Sequence, residues 1–136
     1  MRRHKLDRID RKILNDLQNN GRMTNVELAT RAGISAPPCL RRVRKLEESG
    51  FIKSYHAVLD PTSLGYSVTV FAHVKLGSQA EGDLRKFEDA VGSMEEVREC
   101  HMLTGDTDYL LKILARNWDA YQIFLTQVLT SSPSVA

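Results

Sequence analysis

The sequence predicts an α+β protein with two parts, a helical N-terminal part and a C-terminal part in which strands and helices alternate. Hydrophobic residues recur at helical spacing through the first 50 residues, whereas from Tyr66 they alternate one by one, as in a strand. Charge divides in the same way. Residues 1–60 hold 13 basic and 7 acidic side chains (net +6), and residues 61–136 hold 6 and 10 (net −4). We therefore expect one domain at 1–60 and another at 61–136.

The composition is that of an ordinary globular protein, with 136 residues of which 42% are hydrophobic and 26% charged. Cys39 and Cys100 lie far apart with no CxxC pair, so neither a disulfide framework nor a zinc site is indicated. No apolar run approaches the ~20 residues of a membrane helix, and the N-terminus lacks the apolar core of a signal peptide. We expect a cytoplasmic protein.

Three helices are predicted in the first domain. Asp7 can cap the first helix, whose apolar stripe keeps the helical period to Leu17. Thr24 and Glu27 have the spacing of a capping box for the second helix. Gly33 offers the positive φ that a sharp turn between two helices needs. These signals together predict a helix-turn-helix.

The third helix has one apolar face and one basic face. Ser35 can cap it, and Pro37 and Pro38 lie in its first turn, where a missing N–H costs nothing. At 100° per residue, two opposite sectors separate: the apolar sector holds Cys39, Leu40, Val43 and Leu46, and the basic sector holds Arg41, Arg42, Arg44 and Lys45. Such a helix can pack on a small core and enter the major groove of DNA. Alternatively, the basic face is only solvated.

Two further segments of the first domain carry basic residues. The segment FIKSYHAVLDP after Gly50 is predicted to be extended, as a small wing or linker strand. Phe51 and Ile52 are expected to seal the helical core, and Lys53 is free to face outward. Residues 2–5 (RRHK) form a short basic arm that either touches phosphate or is solvated.

The second domain is predicted to have the element order β-α-β-β-α. The predicted segments are a strand at 66–76, a helix at 79–92, strands at 97–104 and 108–115, and a helix at 117–129. The last helix is expected to bury Trp118, Tyr121, Phe124, Leu125, Val128 and Leu129. This order is one strand short of the ferredoxin-like β-α-β-β-α-β unit. The fold prediction is therefore a winged helix-turn-helix followed by a ferredoxin-like domain that lacks its last strand.

The missing strand would lie beside the first one and pair with its backbone. Without it, residues 66–76 would keep unpaired N–H and C=O groups along one edge. Three explanations remain open: a truncated chain, a partner that covers the edge, or a weakened domain.

The chain resembles the Lrp/AsnC (leucine-responsive/asparagine regulator) family of transcription factors. The resemblance rests on LDRIDRKILNDLQNNGRMTNVELA, SAPPCLRRVRKLEESGFIKSY and ECHMLTGDTDYLLK, and it covers nearly the whole chain. It implies a winged helix-turn-helix, an effector domain, homodimers and higher homo-oligomers, and a small amino acid bound near the loop at 104–108. Two features depart from the family pattern: Thr107 stands where an aromatic residue is common, and the final strand is missing.

Nine residues are predicted to contact double-stranded DNA. Arginine can bind guanine O6 and N7, and arginine or lysine can neutralise phosphate. The predicted base-edge contacts are Ser35, Pro38, Arg41, Arg42 and Lys45, and the predicted phosphate contacts are Arg22, Thr24, Asn25 and Lys53.

Seven residues are predicted to contact the effector: Met102, Leu103, Thr104, Gly105, Asp106, Asp108 and Trp118. Gly105 would let the ligand approach the backbone, and Asp106 and Asp108 could accept hydrogen bonds from an α-ammonium group. Met102, Leu103 and Trp118 would supply apolar walls. Alternatively, the loop is a polar turn whose aspartates cap their own backbone, or one aspartate braces the loop.

The sequence thus predicts a sequence-specific DNA-binding transcriptional regulator whose assembly or DNA affinity responds to a small amino acid such as leucine. We expect it in the cytoplasm, with the nucleoid. No metal or cofactor site is expected, because two carboxylates alone make a poor cage. No nucleophile elbow, P-loop or dinucleotide pattern indicates an enzyme. The alternatives are an architectural DNA-binding protein with little ligand response, and a ligand-binding module or non-binding relic.

Overall fold

The computed structural model describes residues 5–132 and 134–136. The chain divides into two compact units, Met1–Val58 and Leu59–Ala136, each with its own hydrophobic core. Of the predicted basic arm at 2–5, residues 2–4 lie outside the described residues. Within the described ranges, no helix is both long and apolar enough to span a bilayer.

The first unit contains three helices, α1 (Arg8–Asn19), α2 (Asn25–Ala32) and α3 (Ala36–Glu48). The predicted caps of α1 and α2 are confirmed: Asp7 pairs with Asp10, and Thr24 with Glu27, each pair in a reciprocal capping box. Gly33 ends α2 with φ of 72°, as the turn requires. The backbone between α2 and α3 can therefore reverse within a few residues.

The core of the first unit lies between the three helices. It buries one residue from α1, two from α2 and three from α3, namely Ile13, Leu28, Ala29, Cys39, Val43 and Leu46. The predicted apolar sector of α3 is confirmed except at Leu40, which is 37% exposed. Leu40 lies at the margin of that sector, so the core does not cover it.

A buried carboxylate joins α1 to α2. Asp16 is 2% exposed, and its Oδ1 accepts hydrogen bonds from Lys12 Nζ and Arg31 Nη2, both at 3.0 Å. The Arg31 hydrogen bond is the main cause that lowers the pKa of Asp16, and burial acts against it. Two cations thus keep a carboxylate ionised inside a small helical core.

The segment after α3 differs from its prediction. Residues 53–60 lie in no helix and no strand. Ile52 packs against the helical core as expected, whereas Phe51 is 44% exposed and does not seal it. The turn at Gly50, with φ of 81°, directs the chain away from the core after one apolar contact.

The second unit contains a three-stranded antiparallel sheet. Its elements are β1 (Val68–Val74), α4 (Glu81–Gly92), β2 (Val97–Met102), β3 (Tyr109–Ala115) and α5 (Trp118–Phe124), which continues as a π-helical turn at Leu125–Leu129. The strand order is β1-β3-β2, so β3 is central. This arrangement confirms the predicted α+β element order.

The helices of the described part of the second unit cover one face of the sheet and leave the other open. Phe87 and Val91 from α4, with Phe124 from α5, pack on the side of β3 that carries Leu111 and Ile113. The stripe predicted for the last helix is confirmed at Phe124 and Leu129, and Tyr121 and Leu125 are partly buried against the core. Trp118 and Val128 are instead 67% and 38% exposed. Trp118 is the first residue of α5, and it stands outside the layer that the helix buries.

On the β1 side of the sheet, the edge is paired only just beyond the C-terminal end of β1. Leu76 forms an antiparallel bridge with Val135, and the Ala136 N–H donates to the Lys75 carbonyl oxygen at 3.0 Å. Residues 134–136 therefore make the first pairings expected of a last ferredoxin-like strand. Among the described residues, nothing pairs with the outer edge of β1 itself.

We expect Asp16→Asn to lower the melting temperature at neutral pH, because Asn keeps the shape but loses the charge that Lys12 and Arg31 bind. A carboxyl with a lowered native pKa stabilises the fold above its unfolded pKa, and this contribution is lost as pH falls through the native pKa. The gap between the wild-type and Asp16→Asn melting temperatures should therefore shrink below about pH 4.

Thermal unfolding followed by circular dichroism between pH 7 and pH 2.5 measures this gap. Glu48→Gln is the matched control, because Glu48 is an exposed acid of the same unit without an ion-pair partner among the described residues. A gap that stayed constant with pH would show that the Asp16 charge does not stabilise the unit.

Candidate nucleic-acid interface and ligand loop

The solvent-facing side of α3 carries three exposed cations, Arg41, Arg44 and Lys45. None of them forms an ion pair with another described residue. The opposite side of the helix is held in the core by Cys39, Val43 and Leu46, so this basic face cannot turn inward. Long cationic side chains on a fixed helix suit phosphate and base-edge contacts in a DNA groove.

Arg42, predicted as a base contact, is turned toward α1 instead. Its Nη1 donates to Asp7 Oδ2 at 2.7 Å, to Asp7 Oδ1 at 2.9 Å and to Asp10 Oδ1 at 3.0 Å. The arginine side chain is 32% exposed, and that of Asp10 is 5% exposed. This side chain therefore links α3 to α1, and its predicted DNA contact stays a prediction. Sequence spacing did not reveal the link, since 35 residues separate Asp7 from Arg42.

Two other predicted DNA contacts also serve the scaffold. The Asn25 side-chain amide donates to the Ala36 carbonyl oxygen at 2.8 Å, which ties the start of α2 to the start of α3. Thr24 Oγ1 accepts from the Glu27 N–H at 3.2 Å. The hydrogen-bonding groups of these two side chains are thus partly occupied by the fold.

The remaining predicted DNA contacts lie at the surface. Ser35 is the N-cap of α3, and its side chain makes no capping hydrogen bond, which leaves the hydroxyl available. Pro38 is half-buried in the first turn of α3. Arg22 and Lys53 are exposed before α2 and after α3.

The second candidate site is the loop between β2 and β3. Gly105 at its tip has φ of 117°, a conformation that a side chain would strain, and the space beside its Cα is open. The loop is closed by a hydrogen bond from the Leu103 N–H to the Asp108 carbonyl oxygen at 2.8 Å. The Asp108 N–H donates to the Val74 carbonyl oxygen at 2.9 Å, which fastens the loop to β1.

The two aspartates of the loop have different surroundings. Asp108 Oδ2 accepts from the Leu76 N–H at 2.7 Å and from Gln79 Nε2 at 3.2 Å, so this carboxylate braces the loop. Asp106 is exposed and has no hydrogen-bond partner among the described residues. Asp106 therefore keeps its whole carboxylate available for an α-ammonium group, whereas Oδ2 of Asp108 is occupied by the fold.

Thr107 makes a contact that the sequence did not indicate. Its Oγ1 lies 3.0 Å from Nδ1 of His73 on β1. A phenylalanine at this position could not form this hydrogen bond. The departure from the family pattern at Thr107 thus coincides with a polar link between the loop and the first strand.

The predicted apolar walls of the site are not brought together within one chain. Met102 is 62% exposed, and Leu103 is half-buried at the start of the loop. Trp118 follows the opposite end of β3, roughly 20 Å away along the strand. It packs edge-on against Tyr121, with ring centroids 6.0 Å apart. The prediction that Trp118 lines the loop site has no support within a single chain.

A shallow groove of about 490 Å³ lies between α4 and β2, and Met102 forms part of its wall. Tyr109 donates a 2.7 Å hydrogen bond to Glu88 Oε1 at its base. Burial, and then this hydrogen bond, raise the pKa of Tyr109, so the phenol stays a neutral donor. Burial likewise raises the pKa of the Cys100 thiol, which does not indicate a reactive cysteine.

These two sites define the class of the protein as a helix-turn-helix DNA-binding protein with a separate ligand-binding domain. Residues 6–53 match the family of winged helix-turn-helix DNA-binding domains, and residues 69–136 match the Lrp/AsnC ligand-binding domain.

Known proteins resemble the chain over nearly its whole length. It is 49% identical to a leucine-responsive regulatory protein of Rhizobium meliloti, over 98% of this chain and 85% of that protein. It is 48% identical to that of Escherichia coli K12, over 96% and 79%. Among solved structures, a transcriptional regulator of Neisseria meningitidis in complex with L-Met superposes with a TM-score of 0.91 at 39% identity, covering 97% and 85% of the two chains.

The chain belongs to the Lrp/AsnC family of transcriptional regulators. The predicted resemblance, fold class and regulatory function are thereby confirmed. A ligand-binding domain over residues 69–136 does not favour the architectural alternative. The individual contact residues, Arg42 and Trp118 among them, stay predictions.

Proposed function

We propose that this chain recognises specific DNA sequences through α3. The observation that carries the proposal is the exposed row Arg41, Arg44 and Lys45, opposite a fully buried stripe. Arg41 and Lys45 are the proposed base-edge residues, with Ser35 and Pro38 at the entry of the helix into the groove. Arg22 and Lys53 are exposed cations suited to phosphate. Thr24 and Asn25 contribute by holding the start of α2.

Arg41→Gln should lower the affinity for an operator duplex about tenfold, because a bidentate arginine–guanine contact discriminates by that order. Affinity for a random duplex of the same length should fall less. Fluorescence anisotropy at several salt concentrations gives both constants. The operator is a sequence selected by the wild-type chain from a random library.

Arg85→Gln is the matched control, since Arg85 lies in the other unit in an exposed ion pair with Glu81. It removes the same charge and should leave the ratio of operator to random affinity unchanged. If Arg41→Gln weakened both duplexes equally, Arg41 would be a phosphate contact. If the wild-type chain showed no preference, sequence-specific recognition would be wrong.

We also propose that the loop at 103–108 binds a small amino acid. Three features support it: the braced frame around Asp108, the open backbone at Gly105 and the free carboxylate of Asp106. The relatives named leucine-responsive and the neighbour solved with L-Met favour an apolar side chain such as that of leucine or methionine. Binding would shift DNA affinity or assembly through a coupling free energy between the two sites.

Asp106→Ala should weaken binding of leucine and methionine about tenfold or more, because it removes a charged hydrogen bond, without changing stability. Asp108→Ala is the matched variant. It should lower the free energy of unfolding by about 1–3 kcal/mol, since the Leu76 N–H loses its acceptor. Titration calorimetry and urea unfolding separate the two effects. Equal heats for Asp106→Ala and wild type would exclude Asp106 as the ammonium site, and no heat from wild type would exclude the effector.

A homodimer is proposed to form through the open face of the sheet. On this face β1 presents Phe71, which is 60% exposed, and β3 presents half-buried Leu110 and Leu114. This face also carries Lys112 opposite Phe71, with Glu99 beside it, and none of the described residues covers it. An exposed sheet face with large apolar side chains favours a second copy of the same surface. A dimer would present two copies of α3 to half-sites about one helical turn apart, and the nucleoid would be its cellular location.

Phe71→Asp should convert the dimer to a monomer, because it places a charge at the centre of this face. Trp118→Asp is the control: Trp118 is an equally exposed aromatic residue, but it lies outside that face. Sedimentation velocity measures both. Dissociation by Trp118→Asp but not by Phe71→Asp would place the interface elsewhere.

A further inference from the structure

We propose that Arg42 is a positioning residue for DNA recognition: with Asp7 and Asp10 it sets the orientation of α3, and it does not itself bind DNA. The inference rests on the proposed DNA contact of α3. We refer to these three residues as the α1–α3 clasp. Its role follows from where it lies on the two helices and from what else Asp7 does.

The clasp concentrates three short contacts on one nitrogen. Arg42 Nη1 lies 2.7 and 2.9 Å from the two Asp7 oxygens and 3.0 Å from Asp10 Oδ1. Hydrogen bonds between ionised groups are shorter and stronger than neutral ones. The Asp10 side chain is 5% exposed, so the guanidinium is held at the edge of the core.

Asp7 has a second structural duty at the same place. Its Oδ1 also accepts from the Asp10 N–H at 2.8 Å, which caps α1. That backbone hydrogen bond first, and Arg42 second, lower the pKa of Asp7, so its carboxylate is ionised at neutral pH. One carboxylate therefore fixes both the first turn of α1 and the position of Arg42.

A separate contact ties α3 to α2. The Asn25 amide binds the carbonyl of Ala36, the first residue of α3, at 2.8 Å. Arg42 lies six residues later, about 9 Å along the helix axis. Two ties to two different helices, at different heights on α3, restrict both its tilt and its rotation. Because Arg41 is next to Arg42 on α3, this restriction also fixes the direction in which the Arg41 side chain leaves the helix. A binding site tolerates angular deviations of only about 10–20°.

Two roles for Arg42 predict opposite signs for one substitution. Asp7→Asn preserves the cap, because Asn is a good N-cap residue, but it removes one of the two carboxylate charges that hold Arg42. If the clasp merely withheld a DNA-binding arginine, loss of a nearby negative charge would strengthen binding to every duplex. If the clasp positions α3, the preference for the operator must fall even though the protein becomes more positive.

The experiment measures affinities of the full chain for the selected operator and for a random duplex at several salt concentrations. The variants are Asp7→Asn, Arg42→Gln and the double variant. We expect each single variant to lower the ratio of operator to random affinity about tenfold. The double variant should be no worse than Arg42→Gln alone, because Arg42→Gln already removes the link to Asp7. The salt slope of Arg42→Gln should equal that of wild type, whereas one lost phosphate contact would reduce it by ~0.9.

Glu48→Gln controls for charge, because it removes an exposed acid from α3 itself without touching the clasp. It should leave the ratio unchanged. Thermal melts followed by circular dichroism identify a temperature at which all variants are folded, and the affinities are measured at that temperature. If Arg42→Gln is unfolded, Arg42→Lys is used in its place, because it keeps a cation at this position. Arg42→Lys is then expected to lower the ratio less than Asp7→Asn does, with the wild-type salt slope.

Each of three results would overturn this inference and leave the proposed DNA recognition standing. They are tighter binding by Asp7→Asn with an unchanged ratio of operator to random affinity, a reduced salt slope for either Arg42 variant, and a loss of that ratio in the double variant equal to the sum of the two single losses. Absence of any operator preference in the wild-type chain is a different result. It would overturn the proposed DNA recognition itself, and the positioning role with it.

Discussion

The first unit depends on how α3 divides its side chains between a small core and the solvent. Cys39, Val43 and Leu46 are buried, and because Arg41 and Lys45 lie on the opposite side of the helix, they face the solvent. A helical unit of this size buries little apolar surface, so its stability is modest. The charged contacts at Asp16 and in the α1–α3 clasp supplement the core by joining helices that few apolar contacts hold together.

In the loop of the second unit, as in α3, side chains divide between those that hold the structure and those that stay exposed. A ligand site needs polar groups that are not already hydrogen-bonded within the protein, and a rigid backbone that holds them in position. Asp108 belongs to the frame, because the Leu76 N–H and Gln79 occupy its carboxylate. Asp106 and Gly105 form the free tip. Two aspartates two residues apart thus have separate tasks, and the brace is what leaves the other carboxylate exposed.

Features that depend on neighbours in the sequence were predictable. The capping boxes at Asp7 and Thr24 and the left-handed turn at Gly33 arise within a few residues, so spacing alone reveals them. The amphipathic period of α3 was visible for the same reason. Most of the element order of the second unit follows from the change of hydrophobic period, from about four to two, after Tyr66.

Features that depend on distant residues were not predictable. A helical wheel places Arg42 among the cations, yet Asp7 lies 35 residues earlier and captures it only when α1 and α3 pack together. The wheel also cannot tell that Trp118, at the start of its helix, falls outside the buried layer. By itself the sequence determined the five helices and three strands, the caps of α1 and α2, and the family, because these follow from local hydrogen bonds and hydrophobic period. Only the tertiary structure decided which arginines of α3 stay exposed and which is paired with aspartate, because a charged side chain binds the partner that packing brings within about 3 Å.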